Sequence, residues 1–274
     1  MAPKPSSPPP DRESWPTALT SIEPNRILVR GYAIDELMGR VTFGDALYLL
    51  LTGELPSSSI SRLIDAMLVG FIDHGATPPP TLAARQTTSA GAGLSNAVAA
   101  GLLGFGKHYG GDVALCRQLL EQGLDLAGSS MLLNTAATDL VEQLVQRDRI
   151  PPPGFGHRYH TVDPRVTRLL QIAHELEVDH LYTQYIRAVE MALARHPALE
   201  GEACPVNVDG AIAAVCGDLG LDADVAEGLA MISRVPGLIA HALEERTRFA
   251  PMRHIDPHSH RYDGPSERRL RERR

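Results

Sequence analysis

PPPGFGHRYHTVDPR, residues 151–165, combines three prolines, two glycines and a group of basic side chains within one short stretch. The prolines stiffen the approach, while Gly154 and Gly156 can adopt backbone conformations that other residues avoid. Asp163 and Pro164 have the spacing of a helix N-cap followed by proline at the first helical position. An imidazole and guanidinium groups beside a glycine hinge indicate a site for an anionic substrate.

Elsewhere the apolar residues recur with the period of an α-helix. In SSSISRLIDAMLVGFIDHG, residues 57–75, they form one face, which predicts a helix that begins at the serines and stops at Gly75. TFGDALYLLLTG, residues 42–53, has Thr42 and Asp45 in the spacing of a capping box, with glycine as its end.

Further helices are predicted after Asp163 and over about 179–195 and 223–246. Only NRILVRGYAI, residues 25–34, resembles a strand or a small hairpin. Strands and helices do not alternate along the chain, and no internal repeat is visible. The sequence therefore predicts an all-α fold.

Charge and composition narrow the classes of partner. The formal net charge of −7 at pH 7 argues against nucleic acid as the main partner, and no apolar run has the length of a membrane span. Three cysteines without C-x-x-C spacing favour a reducing cytoplasm. Residues 1–17 are predicted to be a disordered arm and residues 257–274 a charged tail.

Glycine placement suggests how the chain is divided into domains. Boundaries near Gly110–Gly111 and between Gly217 and Gly220 would separate a large domain, residues 18–110 and 221–256, from a small inserted domain, residues 111–220. Such a division suits a hinged enzyme that closes on its substrate.

Three more places put polar side chains beside turns. His74 is predicted to lie at the very end of an amphipathic helix, where a histidine can also simply stabilise the helix C-terminus. His108 and Tyr109 precede a glycine pair, which either forms a plain turn or lets backbone N–H groups approach a ligand. Asn207 and Asp209 fall on one side of an extended segment by their i, i+2 spacing; the alternative is that Asp209 caps a helix.

Metal and nucleotide motifs are not evident. HIDPHSHRYDG, residues 254–264, contains three histidines but lacks a His-x-x-x-His helix or a partner cysteine, so no metal site is predicted. The sequence also contains neither a Walker loop nor a G-x-G-x-x-G turn after a strand.

In chain order, these places resemble the citrate synthase family. GFGHR followed by DPR is the most specific match, while VRGYAIDELMGRVTFGDALYLLLTGELP and ISRVPGLIAHALEERTR resemble the family's N-terminal block and its late arginine-containing helix. The resemblance spans about residues 18–255 and implies large and small helical domains and a homodimer. Only about twenty residues separate GELP from His74, and this shortness is similar to the citryl-CoA lyase branch and the lyase module of ATP-citrate lyase.

The resemblance also implies roles for individual residues. His157 would bond the hydroxyl or ketone oxygen, and Asp209 would move the proton at the acetyl carbon. Arg248 competes with Arg253 for one of the arginine positions. The residues matched to binding of substrate carboxylates are His74, Arg165, Arg234 and Arg253, and those matched to the loop that holds the CoA adenine are Pro153, Gly154, Phe155 and Gly156.

One position departs from the family pattern. Most members have histidine immediately before the glycine pair, where it stabilises the thioester oxygen, but this chain has Tyr109 there and His108 one residue earlier. Either the Tyr109 hydroxyl or the His108 imidazole is expected to donate to the developing enolate oxygen.

Three functions follow from the resemblance. The first is cleavage of citryl-CoA, or a related 3-hydroxy-3-carboxyl acyl-CoA, to acetyl-CoA and oxaloacetate. The alternatives are condensation to citrate or a methylcitrate-like product, and a non-catalytic relative that binds acyl-CoA or a dicarboxylate. All three predict small-molecule ligands containing coenzyme A or carboxylates, and none requires a metal.

Overall fold

The computed structural model describes residues 15–106, 109–110, 112–127, 132–147 and 150–269. Within these ranges it contains eleven α-helices and one small three-stranded sheet, so the predicted all-α fold is confirmed. Most of the predicted N-terminal arm, the last five residues of the predicted tail, and His108 lie outside the described residues.

The secondary structure begins with the sheet and continues as helices. The strands are β1 Thr20–Glu23, β2 Arg26–Val29 and β3 Tyr32–Ala33. The helices are α1 Ile34–Leu37, α2 Phe43–Thr52, α3 Ser58–Gly70, α4 Pro79–Ser89, α5 Leu94–Leu103, α6 Asp112–Ala127, α7 Leu133–Gln146, α8 Pro164–Glu175, α9 Leu181–Arg195, α10 Val208–Asp218 and α11 Ala223–Arg248.

The sheet is antiparallel in the order β1-β2-β3. The predicted hairpin corresponds to β2 and β3, and β1 adds a strand that the sequence pattern did not indicate. Arg30 and Gly31 make the turn between β2 and β3 with φ of 49° and 88°, a conformation that glycine adopts without strain.

Local capping residues set several helix boundaries as predicted. Thr42 and Asp45 form a reciprocal capping box on α2, with N–O distances of 3.1 and 2.9 Å, and Gly53 ends that helix with φ of 92°. Asp163 caps α8 by accepting a hydrogen bond from the amide of Arg165 at 2.9 Å. These helix boundaries can be predicted from sequence because each capping contact joins residues only a few positions apart.

The end of α3 differs from the prediction. The helix stops at Gly70 rather than Gly75, and His74 therefore lies beyond the helix instead of at its last turn. The reason is that Nε of Arg234 donates to the Phe71 carbonyl oxygen at 3.0 Å, which removes that acceptor from the helical series.

The chain divides into two compact units. The first comprises Met1–Asp73 and Gly106–Arg234, and the second comprises His74–Phe105 and Val235–Arg274. In the first unit, α10 is buried along nearly its whole length and packs against α6, α8 and α9. The predicted domain boundaries and hinge stay predictions.

The second unit is built on α4 and α5. These two helices pack side by side, and a Cβ on Gly101 of α5 would lie only 2.8 Å from Cδ1 of Leu238 in α11, so the Leu238 side chain would have to shift to admit it. None of the described helices combines the length and apolarity needed to cross a membrane. The cytoplasmic location stays a prediction.

Candidate active site

The glycine-rich loop is anchored between two helices of the first unit. Gly154 has φ of 83°, and a Cβ on it would overlap Sγ of Cys116 in α6 and lie 2.9 Å from Cα of Gly210 in α10. Its carbonyl oxygen accepts the amide of Asn207 at 3.0 Å. Only glycine fits this position, because both the backbone angle and the space exclude a side chain.

The other loop residues predicted to hold coenzyme A are also fixed by α10 and its approach. The amide of Gly156 donates to the Pro205 carbonyl oxygen at 2.7 Å, and Phe155 is buried. Nδ2 of Asn207 donates to the Gly156 carbonyl oxygen at 3.1 Å. These contacts give the loop a defined shape, and its adenine-binding role, including that of Pro153, stays a prediction.

His157 is oriented by two backbone amides. Its Nδ1 accepts hydrogen bonds from the amides of Tyr159 and His160, each at 3.0 Å. Because an amide can only donate, Nδ1 carries no proton and the neutral ring holds its proton on Nε2. Burial and the neighbouring His160 lower the pKa of His157, with the Asp163 carboxylate opposing. The ring is therefore set to donate a hydrogen bond through Nε2.

Arg165 is held by the residue that caps its own helix. Its Nε and Nη2 donate to the two carboxylate oxygens of Asp163 at 3.0 and 2.7 Å. Burial alone would raise the pKa of Asp163, but the hydrogen bonds and charge of Arg165 outweigh it and keep that pKa low. A paired arginine of this kind is pre-oriented for a second carboxylate.

Asp209 lies in the first turn of α10, so the predicted extended segment is wrong. Asn207 caps this helix through Oδ1, which accepts the Gly210 amide at 3.1 Å, because a capping side chain outweighs the weak strand pattern here. Oδ1 of Asp209 is shielded from solvent and has no hydrogen-bond partner among the described residues. Burial, and then the negative charge of Asp112, raises the pKa of Asp209 to about 6.

Arg234 and Tyr109 complete the cluster around Asp209. Arg234 is only 2% exposed, and its guanidinium carbon lies 4.2 Å from the ring centroid of Phe71. Burial lowers the pKa of Arg234, opposed by Tyr109 and Asp209. Burial also raises the pKa of Tyr109, opposed by the charge of Arg234, so the hydroxyl keeps its proton at neutral pH. The first unit therefore brings a hydroxyl donor, a carboxyl group and a guanidinium together.

The two remaining predicted substrate residues, His74 and Arg253, belong to the second unit. Arg253 donates from Nε and Nη2 to the buried carboxylate of Glu245 at 2.7 and 2.9 Å, and Nε of Arg85 donates to the same carboxylate at 2.7 Å. The competing Arg248 is exposed and pairs with half-buried Glu244. The substrate-binding roles of His74 and Arg253 stay predictions.

Sequence reasoning missed several residues of these clusters. Asp112 directly follows the glycine pair, and that position was a signal that went unused. Glu245 and Arg85 gave no signal, because 160 residues separate them. In the described part of the chain, no group of three or more His, Cys, Asp or Glu residues is placed to hold a metal ion.

Comparison with known proteins assigns the chain to a family. The family model described as "Citrate synthase, C-terminal domain" matches residues 57–255, more than half of the sequence. The chain belongs to the citrate synthase family. The resemblance seen in the sequence is thereby confirmed.

Particular relatives differ in activity. The chain is similar to the citryl-CoA lyase of Hydrogenobacter thermophilus, with 37% identity, a TM-score of 0.83, and coverage of 93% of this chain and 97% of that one. It shares its fold with an ATP citrate lyase of Methanosaeta concilii, at 21% identity and a TM-score of 0.76, covering 94% of this chain and 43% of that one. It is 28% identical to a citrate/2-methylcitrate synthase of Bacillus subtilis over 72% of this chain, and it spans about half the length of that relative.

Proposed function

We propose that this protein cleaves citryl-CoA to acetyl-CoA and oxaloacetate. The observation that carries the proposal is the 37% identity with a citryl-CoA lyase over 93% of this chain and 97% of the lyase. The cluster of His157, Asp209, Arg165 and Arg234 supplies the types of group that this reaction needs.

The reaction breaks the bond between the hydroxyl-bearing carbon and the acetyl methylene carbon. The hydroxyl oxygen becomes the ketone oxygen of oxaloacetate, and its proton passes to a water molecule of the solvent. His157 supports this change because its Nε2–H can donate to that oxygen throughout. The electron pair of the broken bond moves into the thioester as an enolate.

The enolate needs a hydrogen-bond donor and then a proton. Tyr109 supplies the donor in this proposal, since its hydroxyl stays protonated. Asp209 supplies the proton to the acetyl carbon, and its pKa of about 6 makes the acid form accessible near neutral pH. A proton from solvent then restores Asp209.

The carboxylates of the substrate require cations. The charges of Arg234 and Arg165 both lower the pKa of Asp209, which indicates that the two guanidinium groups are near its carboxyl group. Charge-assisted hydrogen bonds from arginine to carboxylate are the strongest of their kind in proteins. These two residues bind the substrate carboxylates in the proposal, and the family resemblance implies His74 and Arg253 as further donors.

A homodimer is part of the same proposal. The family resemblance implies that one of the substrate-binding arginines comes from the partner subunit, and we propose Arg253 for that role. The contacts of Arg253 suit this carboxylate-binding role. Its Nε and Nη2 donate to Glu245, while Nη1 has no hydrogen-bond partner among the described residues. A held guanidinium with a remaining donor suits binding of a second carboxylate.

Condensation is the second candidate, and the similarity to a Bacillus subtilis citrate/2-methylcitrate synthase favours it. Both directions pass through one transition state, so the site serves either. The deciding experiment incubates the purified protein with citryl-CoA, and separately with acetyl-CoA and oxaloacetate, and follows CoA thioesters by mass spectrometry. Acetyl-CoA from citryl-CoA, without free citrate in the reverse mixture, supports the lyase. Release of citrate and CoA in the reverse mixture would make it a synthase, and no turnover of either mixture would reject both.

A further inference from the structure

Asp112 lies where the N-termini of α6 and α10 come close together. It is the first residue of α6, and Asp209 is the second residue of α10, which packs against α6. Gly154 lies between the two helices, since a Cβ on it would overlap Cys116, one turn along α6, and would lie 2.9 Å from Cα of Gly210. This close approach brings the first turns of the two helices together, each with a carboxyl group.

The Cys116 thiol is influenced by the charges of both carboxyl groups. Cys116 is fully buried, and its thiol pKa is raised first by burial and then by the negative charges of Asp209 and Asp112. Both carboxyl groups therefore act on the same sulfur atom. Oδ1 of Asp209 is itself shielded from solvent without a hydrogen-bond partner among the described residues, and such a place disfavours the ionised form of a carboxyl group.

Opposing charges face Asp209 from several elements. Arg234 and Arg165 favour its ionised form, while burial and Asp112 oppose ionisation and prevail, since the pKa stands at about 6. Burial raises the pKa of Asp112 as well. The charged groups that act on Asp209 are Asp112 from α6, Arg165 from α8 and Arg234 from α11. Asp209 in turn raises the pKa of Tyr109, before α6, and of Cys116, in α6. From α9, Glu190 accepts the amide of Val206, just before α10.

We propose that Asp112 is a positioning residue that keeps on Asp209 the proton destined for the acetyl carbon. Two carboxyl groups close together in a shielded place do not both ionise readily, so one keeps its proton at a pH where a lone carboxyl group would lose it. Asp112 acts only through Asp209 and does not touch the substrate. In the transfer, the O–H bond of Asp209 breaks, the C–H bond of the acetyl group forms, and solvent reprotonates Asp209.

The catalytic part of this inference rests on the proposed function. Cleavage requires Asp209 in its protonated form, so the rate of cleavage depends on pH. Above the pKa of Asp209, kcat/KM should fall about tenfold for each pH unit. In Asp112→Asn, Asp209 loses its proton at lower pH, so the decline begins earlier. The variant should approach wild-type kcat/KM at acid pH and fall behind at alkaline pH.

The first test titrates Asp209 directly, in protein labelled with carbon-13 at the aspartate side-chain carboxyl groups. Asp209→Asn identifies the signal. The signal should titrate at lower pH in Asp112→Asn than in the wild type, and at the wild-type pH in Asp125→Asn, which removes an exposed charge from the same helix. Asp112→Glu keeps the charge and should keep the raised midpoint. Equal midpoints in the wild type and Asp112→Asn would overturn the inference.

The second test measures the pH profile of citryl-CoA cleavage with the same variants. A purely structural role for Asp112 would lower kcat/KM equally at every pH without moving the inflection, and that result would also contradict the inference. If the wild type does not cleave citryl-CoA, the proposed function fails, but the carboxyl titration still decides whether Asp112 controls Asp209. Asp112→Ala, with its folding checked by circular dichroism, replaces Asp112→Asn should the latter not fold.

Discussion

Hydrogen bonding settles the state of individual residues that sequence leaves open. The sequence identified His157 as a site residue, but the two amides that occupy its Nδ1 become visible only when the loop is folded. The same holds for Asp209, which gains its raised pKa from burial and from Asp112, 97 positions earlier in the chain. Residue types could be predicted, whereas their protonation states depend on neighbours from other elements.

Replacement of His157 by alanine should nearly abolish cleavage while leaving the fold intact. The variant loses the Nε2–H donor, and loss of a positioned acid–base group costs on the order of 10²- to 10⁴-fold in rate. The measurement is kcat with citryl-CoA beside a circular dichroism spectrum. His174→Ala is the control, because His174 is exposed on α8 and pairs with Asp179. Unchanged activity in His157→Ala would show that the site is assigned wrongly.

Tyr109→Phe tests which residue replaces the family's usual histidine. Removing the hydroxyl deprives the enolate oxygen of a donor, and such a loss costs about 10²- to 10³-fold in kcat. His108→Ala is measured in parallel by the same steady-state assay. A large loss in His108→Ala with a small one in Tyr109→Phe would assign the donor role to His108 instead.

At the scale of single elements, local signals were reliable and distant ones were not. The caps of α2 and α8 were predicted because each is made within a few residues. The end of α3 was missed because Arg234, 163 residues away, takes the Phe71 carbonyl oxygen. The first turn of α10 was predicted to be extended, because the spacing of Asn207 and Asp209 fits both a strand and the start of a helix.

Gly154→Ala should destabilise the glycine-rich loop and with it the site. The substitution forces a side chain into the left-handed backbone region and against Cys116 and Gly210, at a cost of about 1–3 kcal/mol in the free energy of unfolding. Urea denaturation followed by circular dichroism measures the change. Gly228→Ala in α11 is the matched control, since no atom lies within 4 Å of the added Cβ, and it should be neutral or stabilising. Equal stability of Gly154→Ala and the wild type would contradict the close packing at Gly154.

For the whole molecule, the sequence predicted the helical fold and its family, because helical periodicity and the ordered motifs extend over most of the chain. It did not predict the Glu245 cluster, in which Arg85 and Arg253 share one buried carboxylate across a long sequence separation. Contacts of this kind depend on the tertiary arrangement of α4, α11 and the segment that follows.

Subunit complementation tests the proposed dimer. If Arg253 serves the site of the partner subunit, mixing inactive His157→Ala with inactive Arg253→Ala should create mixed dimers that have one intact site each. Random exchange of subunits then restores about a quarter of wild-type cleavage, as expected for a closed two-fold dimer. Size-exclusion chromatography with light scattering tests whether the protein is a dimer. A mixture that stays inactive although its subunits exchange would place Arg253 in the site of its own chain.

The most direct measurement is cleavage of citryl-CoA in deuterium oxide, with the mass of the acetyl-CoA product determined by mass spectrometry. Asp209 exchanges its proton with solvent, so the account predicts acetyl-CoA that carries one deuterium in its methyl group. In Asp209→Asn, formation of this product should be severely slowed. Acetyl-CoA without deuterium would contradict the role given to Asp209, and the absence of acetyl-CoA would contradict the proposed cleavage itself.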